Sequence, residues 1–183
     1  HLLALLIRQR HIAKRSASLV YMWITEISEL SKVKKSVDEL WVRGRKIKGL
    51  EFLYNLPMLK RLFLSSIKTD DLMPIGSLRG LSKLELTNVG SGTNLDPISQ
   101  LDNLEDLSLQ TPPGWDGSNK TVKYKSLGPL TKLRNLKELT LLDVVFDFDG
   151  LRPTVRIESL VRLTTRNKFP TQSLLPLPSI NQN

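Results

Sequence analysis

The sequence predicts an α/β solenoid in which short parallel strands alternate with short helical returns and stack into a right-handed coil. Three observations predict it: apolar residues recur with a fixed spacing, the spacing changes once within each unit, and proline recurs at the same place in four of the returns. The chain has 183 residues, 40% of them hydrophobic, which is enough to bury a sizeable core. We therefore expect one repeat domain.

The fixed spacing is clearest from residue 50 onward. Leucine or isoleucine occupies six positions in each of four units, separated by steps of three that end in one step of two. These positions are Leu50, Leu53, Leu56, Leu59, Leu62 and Leu64; Leu72, Ile75, Leu78, Leu81, Leu84 and Leu86; Leu95, Ile98, Leu101, Leu104, Leu107 and Leu109; and Leu127, Leu130, Leu133, Leu136, Leu139 and Leu141. Regular recurrence of this kind indicates stacked structural repeats.

The change of step predicts the structure of each unit. A step of two places Leu62 and Leu64 on the same face of a strand, whereas steps of three place residues on one side of a helical or 3₁₀ turn. Proline follows the first apolar position by two residues at Pro74, Pro97, Pro129 and Pro153, where it can open a helical turn without losing a donor. Each unit is thus one strand on the concave face and one return on the convex face.

Degenerate copies and other segments flank the regular units. Residues 27–42 and 151–165 keep the spacing imperfectly, and a further strand is predicted near Leu19, Met22 and Ile24. We expect residues 1–18 to form a basic cap or degenerate repeat, residues 19–167 the repeat domain, and residues 168–183 a proline-rich cap or tail. A long insertion near residues 111–125 is predicted to be a loop that bulges from the solenoid.

The pattern L-x-P-[IL]-x-x-L-x-x-L-x-x-L-x-L resembles the short leucine-rich repeats, about 22 residues long, of the bacterial internalins and of the phosphatase-regulatory solenoids. The resemblance implies a right-handed leucine-rich-repeat fold, and proteins of this kind bind very different proteins. Many carry an asparagine ladder eight residues after the leucine that opens the strand. Here those positions are Ile67, Val89, Pro112 and Val144, so we expect apolar packing in its place.

Catalytic and metal chemistry find little support in the composition. The chain has no cysteine, and its two histidines, His1 and His11, lie in a basic segment without acidic neighbours in sequence. We therefore predict no catalytic residue, no metal site and no cofactor. No apolar run reaches the length of a membrane span, and the absence of cysteine favours a reducing, cytoplasmic location.

Side chains that alternate with the buried leucines must point out of the concave sheet. One outward column runs through Trp23, Trp41, Phe63, Glu85, Ser108, Thr140 and Thr164, with flanking columns that begin at Tyr21 and at Thr25. The charged pairs Glu39/Arg61 and Lys83/Asp106 are expected to neutralise each other across the sheet. The aromatic residues either form an exposed patch or lie beneath the N-terminal segment.

An aromatic patch with charged neighbours is typical of a protein-binding surface. We therefore predict a non-catalytic scaffold for an unknown protein partner. The predicted contacts are Tyr21, Trp23, Trp41, Arg43, Arg61, Phe63 and Glu85, with Trp115 of the insertion as a possible second contact.

Two alternatives stay open. Residues 1–50 hold 11 Lys/Arg against 4 Asp/Glu, a net +7, whereas residues 51–183 hold 16 against 14, a net +2. The basic N-terminal region could therefore bind nucleic acid, although no recognised nucleic-acid-binding motif is present. The chain could also be a sensing or adaptor module of a larger protein.

Overall fold

The computed structural model describes residues 21–166 except residues 25, 32, 34 and 112–120, and for residues 21–24 and 27 it describes the backbone alone. Three predicted features lie outside the described residues: the N-terminal cap of residues 1–18, the contact at Trp115 and the C-terminal tail of residues 168–183.

Seven parallel strands form the main sheet, side by side in chain order. Their bounds are β1 (Tyr21–Ile24), β2 (Glu39–Arg43), β3 (Arg61–Ser65), β4 (Lys83–Thr87), β5 (Asp106–Gln110), β7 (Glu138–Leu142) and β9 (Arg162–Thr165). A second, two-stranded parallel sheet consists of β6 (Val122–Tyr124) and β8 (Val144–Phe146). Neighbouring strands of the main sheet are parallel and follow one another in chain order, with a return between them. The repeat spacing predicts this arrangement.

The register of the main sheet aligns the leucines of successive units. Leu62 pairs with Leu84, Leu84 with Leu107, and Leu107 with Leu139, so each inward side chain stacks on its counterpart in the next unit. All 24 leucine and isoleucine positions of the four regular units are at most 3% exposed. The predicted solenoid and its continuous core are confirmed.

Short helices form the convex returns. They are α1 (Ile27–Leu30), α2 (Met73–Gly76) and the 3₁₀ helices Glu51–Asn55, Ile98–Gln100, Gly128–Lys132 and Arg152–Arg156. Proline stands in the first turn of three of these helices and immediately precedes a fourth, Ile98–Gln100. At Gly76 a Cβ atom would come within 2.7 Å of the Pro97 carbonyl oxygen, so glycine lets successive returns pack closely.

At the end of several strands, the residue that directly follows the strand adopts a left-handed conformation. This conformation turns the chain toward the return. Ser66, Asn88 and Asp143 have φ between 53° and 58° at equivalent positions. The following residues form an apolar column in which Ile67, Val89 and Val144 are at most 2% exposed. The expected replacement of the asparagine ladder by apolar packing is therefore found at these three positions, while Pro112 lies outside the described residues.

Asparagine does connect successive units, but elsewhere in the repeat. The side-chain amide of Asn103 donates to the Arg79 carbonyl oxygen at 2.8 Å, and that of Asn135 donates to the Asp102 carbonyl oxygen at 2.7 Å. Ser159 occupies the equivalent position in the last unit and donates to the Leu136 carbonyl oxygen at 2.9 Å. Each residue directly precedes the leucine before the strand, a position that the leucine spacing does not distinguish.

The prediction that the whole insertion of residues 111–125 bulges as a loop is wrong at its C-terminal end. Residues 122–124 form strand β6, and Tyr124 is fully buried. The Tyr124 hydroxyl donates to the Val89 carbonyl oxygen at 2.8 Å, and Thr111 Oγ1 accepts from the Val122 amide at 2.9 Å. The chain therefore rejoins the solenoid at Val122, because burying a tyrosine and pairing with β8 are both favourable there.

The degenerate last unit shows how a polar residue can replace leucine. Thr154 is 8% exposed, and its hydroxyl donates to the Leu151 carbonyl oxygen at 2.7 Å, which satisfies the buried oxygen. Leu163 is half-buried and Thr165 is exposed, in contrast to the equivalent residues of the inner strands.

Among the described residues, no helix combines the length and the apolar character that crossing a bilayer requires.

Candidate functional site

The outward face of the main sheet carries three columns of side chains, as the sequence predicts. In the first column, charges of opposite sign pair across neighbouring strands: Arg61 with Glu39 at 2.5 Å, Lys83 with Asp106 at 2.5 Å, and Arg162 with Glu138 at 2.8 Å. The two charge pairs expected from the sequence therefore form, together with a third. Cross-strand neutralisation of this kind stabilises the sheet and leaves these charges less available to a partner.

The central column contains a stacked aromatic pair. The rings of Trp41 and Phe63 lie face to face, with centroids 3.7 Å apart and planes 5° from parallel. Trp41 is half-buried and Phe63 is only 9% exposed, although both side chains point away from the leucine core. The expectation that the two rings lie side by side is confirmed, and Trp41 offers the more accessible ring of the two.

Glu39 connects the aromatic pair to the charged column. One of its carboxylate oxygens accepts from the Trp41 indole N–H at 2.6 Å, and the other accepts from Arg61 Nε at 2.5 Å. Its side chain is 10% exposed, so both interactions lie largely out of water. A charge-assisted hydrogen bond in such a place is stronger than one at the surface and fixes the indole ring in its stacked position.

A concavity of about 190 Å³ lies over strands β2, β3 and β4. Its lining includes Trp41, Arg43, Phe63, Ser65, Glu85 and Thr87. Arg43 is exposed and Glu85 is half-buried. The site thus combines an aromatic wall with one positive and one negative side chain.

The structure brings together four of the predicted contact residues: Trp41, Arg43, Phe63 and Glu85. Arg61 lies beside them but is held in the ion pair with Glu39 and does not line the concavity. The backbone of Trp23 is in register with Trp41, and that of Tyr21 with Glu39, whereas both side chains lie outside the described residues.

A second, wider depression of about 700 Å³ lies where the strands end, and the sequence pattern did not predict it. Its charged lining is balanced, with Arg45, Lys48 and Lys68 against Glu51, Asp70 and Asp71. The left-handed residues Ser66 and Asn88 also line it, so their spacing after each strand is the signal that could have located it. A balanced lining is not the uniformly basic surface that polyanions favour.

The described residues contain no group of three or more histidine, aspartate or glutamate side chains that could hold a metal ion. Burial raises the pKa of the Tyr124 phenol well above its ordinary value. Since this hydroxyl donates a hydrogen bond to the Val89 carbonyl oxygen inside the core, we assign it a structural role.

Comparisons with known proteins extend these observations at the level of the fold. No family model matches the sequence, and no curated protein matches it. The structure is similar to internalin C2 from Listeria monocytogenes, with 21% identity and a TM-score of 0.56 over 78% of this chain and 57% of that one. It is also similar to the internalin inlF from the same organism, with 18% identity and a TM-score of 0.50 over 80% of this chain and 46% of that one.

The chain therefore spans about half the length of the two internalins. Both similarities cover most of the present chain, and they agree with its stacked parallel strands and leucine core. The protein has the leucine-rich-repeat solenoid fold that these internalins share.

Proposed function

We propose that the protein is a non-catalytic scaffold that binds a protein partner on its concave sheet, at the concavity beside Trp41 and Phe63. The observation that carries the proposal is the stacked aromatic pair on the outward face of the sheet. A solenoid core needs only the inward leucines, so outward tryptophan and phenylalanine side chains are not required by the repeat. Aromatic residues with a polar rim are the usual anchors of protein interfaces.

The arrangement of the polar residues supports the same surface. Arg43, Ser65 and Thr87 form one edge of the concavity, and Glu85 lies next to Phe63 across the sheet. These groups offer hydrogen-bond donors and acceptors around an aromatic centre. Farther along the same column Ser108 and Thr140 replace the aromatics, so the apolar anchor is confined to the N-terminal half of the sheet.

Affinity purification with matched variants tests the proposal. The intact chain, Trp41→Ala and Thr140→Ala would each be used as bait, with bound proteins quantified by mass spectrometry. Thr140→Ala alters the equivalent outward position two strands from the concavity and is the control. A protein retained by the intact chain and the control, but lost with Trp41→Ala, would then be titrated against all three.

We expect Trp41→Ala to weaken binding of that protein by about 2 kcal/mol or more, roughly thirtyfold, as is typical of an aromatic anchor. Thr140→Ala should leave the affinity within a factor of about two, since it removes only a small peripheral group. Equal binding by Trp41→Ala and the intact chain would place the interface elsewhere.

The cytoplasmic location remains a prediction that rests on the absence of cysteine.

A further inference from the structure

Arg43 and Glu85 differ from all other charged side chains on the outward face of strands β2–β5, β7 and β9. Every other one belongs to a cross-strand ion pair, namely Glu39–Arg61, Lys83–Asp106 and Glu138–Arg162. In the part of the chain that the structure describes, Arg43 and Glu85 have no ion-pair partner. Glu85 only accepts a hydrogen bond from the Thr87 hydroxyl at 3.2 Å.

These two side chains line the same concavity, on opposite sides of Phe63. Arg43 stands on β2 and Glu85 on β4, with β3 between them, so their strands lie about 10 Å apart. Among the described residues the two side chains form no ion pair with each other, so neither charge is neutralised by direct contact with the other. The other charged side chains on this face are neutralised in ion pairs, whereas Arg43 and Glu85 beside the aromatic pair are available to a partner.

An unpaired charge at an interface selects a partner that supplies the opposite charge, and it repels one that does not. Glu85 is half-buried, so a partner that covered it without a cation would leave a desolvated carboxylate. A partner that covered Arg43 without an anion would likewise leave a charge desolvated. The cost would be smaller, because Arg43 is exposed. Trp41 lies beside Arg43 on β2, and Phe63 lies next to Glu85 across the sheet, so the aromatic pair provides an apolar surface that adjoins both charges.

We propose that this concavity binds a dipolar segment of a protein partner, with an apolar side chain against Trp41, an acidic side chain toward Arg43 and a basic side chain toward Glu85. This inference rests on the proposed function and adds the chemical class of the segment that is bound. The opposite signs of Arg43 and Glu85 also fix the direction in which the segment lies across the strands. A polyanion such as nucleic acid meets Arg43 but is repelled by Glu85.

Selection from a random peptide library displayed on phage tests the inference, because the library samples every order of acidic, apolar and basic residues. The library would be selected in parallel on the intact chain and on Arg43→Gln, Glu85→Gln, Trp41→Ala and Thr140→Ala, each first shown by thermal melting to be folded. Glutamine keeps much of the polar character of the replaced side chain while removing its charge. Thr140→Ala is again the control.

The intact chain and Thr140→Ala should enrich peptides that carry an acidic, a basic and an apolar residue close together. Selection on Glu85→Gln should lose the enrichment of the basic residue alone, and selection on Arg43→Gln that of the acidic residue alone. In titrations, one such peptide should bind about tenfold more weakly to Glu85→Gln, as for a lost hydrogen bond to a charged group. The loss with Arg43→Gln should be smaller because Arg43 is exposed.

The remaining outcomes separate the two proposals. If Trp41→Ala abolishes enrichment while Arg43→Gln and Glu85→Gln select the same charged residues as the intact chain, the binding surface stands and the dipolar segment is refuted. If Trp41→Ala selects the same peptides as the intact chain, the peptides bind elsewhere and both proposals fail. Absence of any enriched peptide on the intact chain would contradict both as well.

Discussion

The two halves of the solenoid share one core but differ in how successive units are joined on their surfaces. Between β2 and β4, the outward face holds the stacked rings of Trp41 and Phe63, the buried carboxylate of Glu39 and two charges that pair with none of the described residues. From β5 onward, small polar residues replace the aromatics, and Asn135 bridges neighbouring returns. The first half therefore presents an aromatic pair on its concave face, whereas the second half presents small polar side chains there, beside the Glu138–Arg162 ion pair.

This difference shows that the inward and outward positions of each strand are under separate constraints. Leu84 and Leu107 are both fully buried although they lie in different halves. In the central outward column, by contrast, the residues range from Trp41 to Thr140, and neither of these belongs to the leucine core. A protein of this fold can thus change its recognition surface without changing its architecture.

The largest effects should be equal in the two halves. Leu84→Ala and Leu107→Ala should each lower the free energy of unfolding by about 2 to 5 kcal/mol, because each leaves a cavity in the leucine core. Lys83→Ala, at an outward position beside Leu84, should cost no more than about 1 kcal/mol, since its ion pair is partly exposed. Chemical denaturation of the three variants measures these costs, and equal losses for Lys83 and Leu84 would contradict the assigned faces of the strand.

Phe63→Ala should reveal the difference between the halves most directly. Phe63 is 9% exposed and stacked on Trp41, so we expect its truncation to cost about 2 to 4 kcal/mol, close to the range for core aromatics. Thr140→Ala in the same column should change stability by no more than about 0.5 kcal/mol. Thermal and denaturant unfolding of both variants provide the comparison. Near-identical stabilities would mean that the aromatic stack contributes nothing to the fold.

Two arginines in equivalent ion pairs should also differ. Arg61→Ala leaves the carboxylate of Glu39, 10% exposed, without its cation, and should cost about 1 to 3 kcal/mol. Arg162→Ala leaves the carboxylate of Glu138, 44% exposed, in contact with water and should cost at most about 1 kcal/mol. Adding Glu39→Gln to Arg61→Ala should recover part of the loss, because the stranded charge is removed. Equal costs for the two arginines would show that burial of Glu39 has no energetic consequence.

The smallest of the four effects concerns Tyr124, in strand β6 of the second half. Tyr124→Phe removes the hydrogen bond to the Val89 carbonyl oxygen and should cost about 1 kcal/mol near neutral pH. Burial raises the pKa of Tyr124, whereas in the unfolded chain the phenol ionises near its ordinary value of about 10. Above that pH the unfolded chain releases a proton that the folded chain keeps, so folding becomes less favourable as pH rises.

Denaturant unfolding of the intact chain and of Tyr124→Phe at about pH 8 and about pH 11 measures this effect. The intact chain should lose more stability than the variant over this interval, because phenylalanine does not ionise. Other groups titrate equally in both proteins and cancel in the comparison. An identical loss in the two would show that Tyr124 is accessible to water in the folded protein.

Local sequence spacing was sufficient to predict most of the fold. The step of two identifies strand residues and the steps of three identify the returns, because side-chain direction follows the backbone period. Alternation along each strand then predicts the outward columns and the charge pairs between them. The fate of residues 122–124 could not be predicted, because a Val-Lys-Tyr segment in a long insertion has no periodic signal of its own.

The sequence could predict which residues of the site point outward, but not how far each is buried or which groups it contacts. The sequence by itself determined the leucine core, the parallel register and the nearness of Trp41 to Phe63, since each follows from a repeat that brings equivalent positions side by side. Only the tertiary structure decided that Phe63 is buried, that Glu39 holds both Trp41 and Arg61, and that Arg43 and Glu85 form no ion pair with any described residue. These properties depend on side-chain conformations and distances across several strands, which no periodicity encodes.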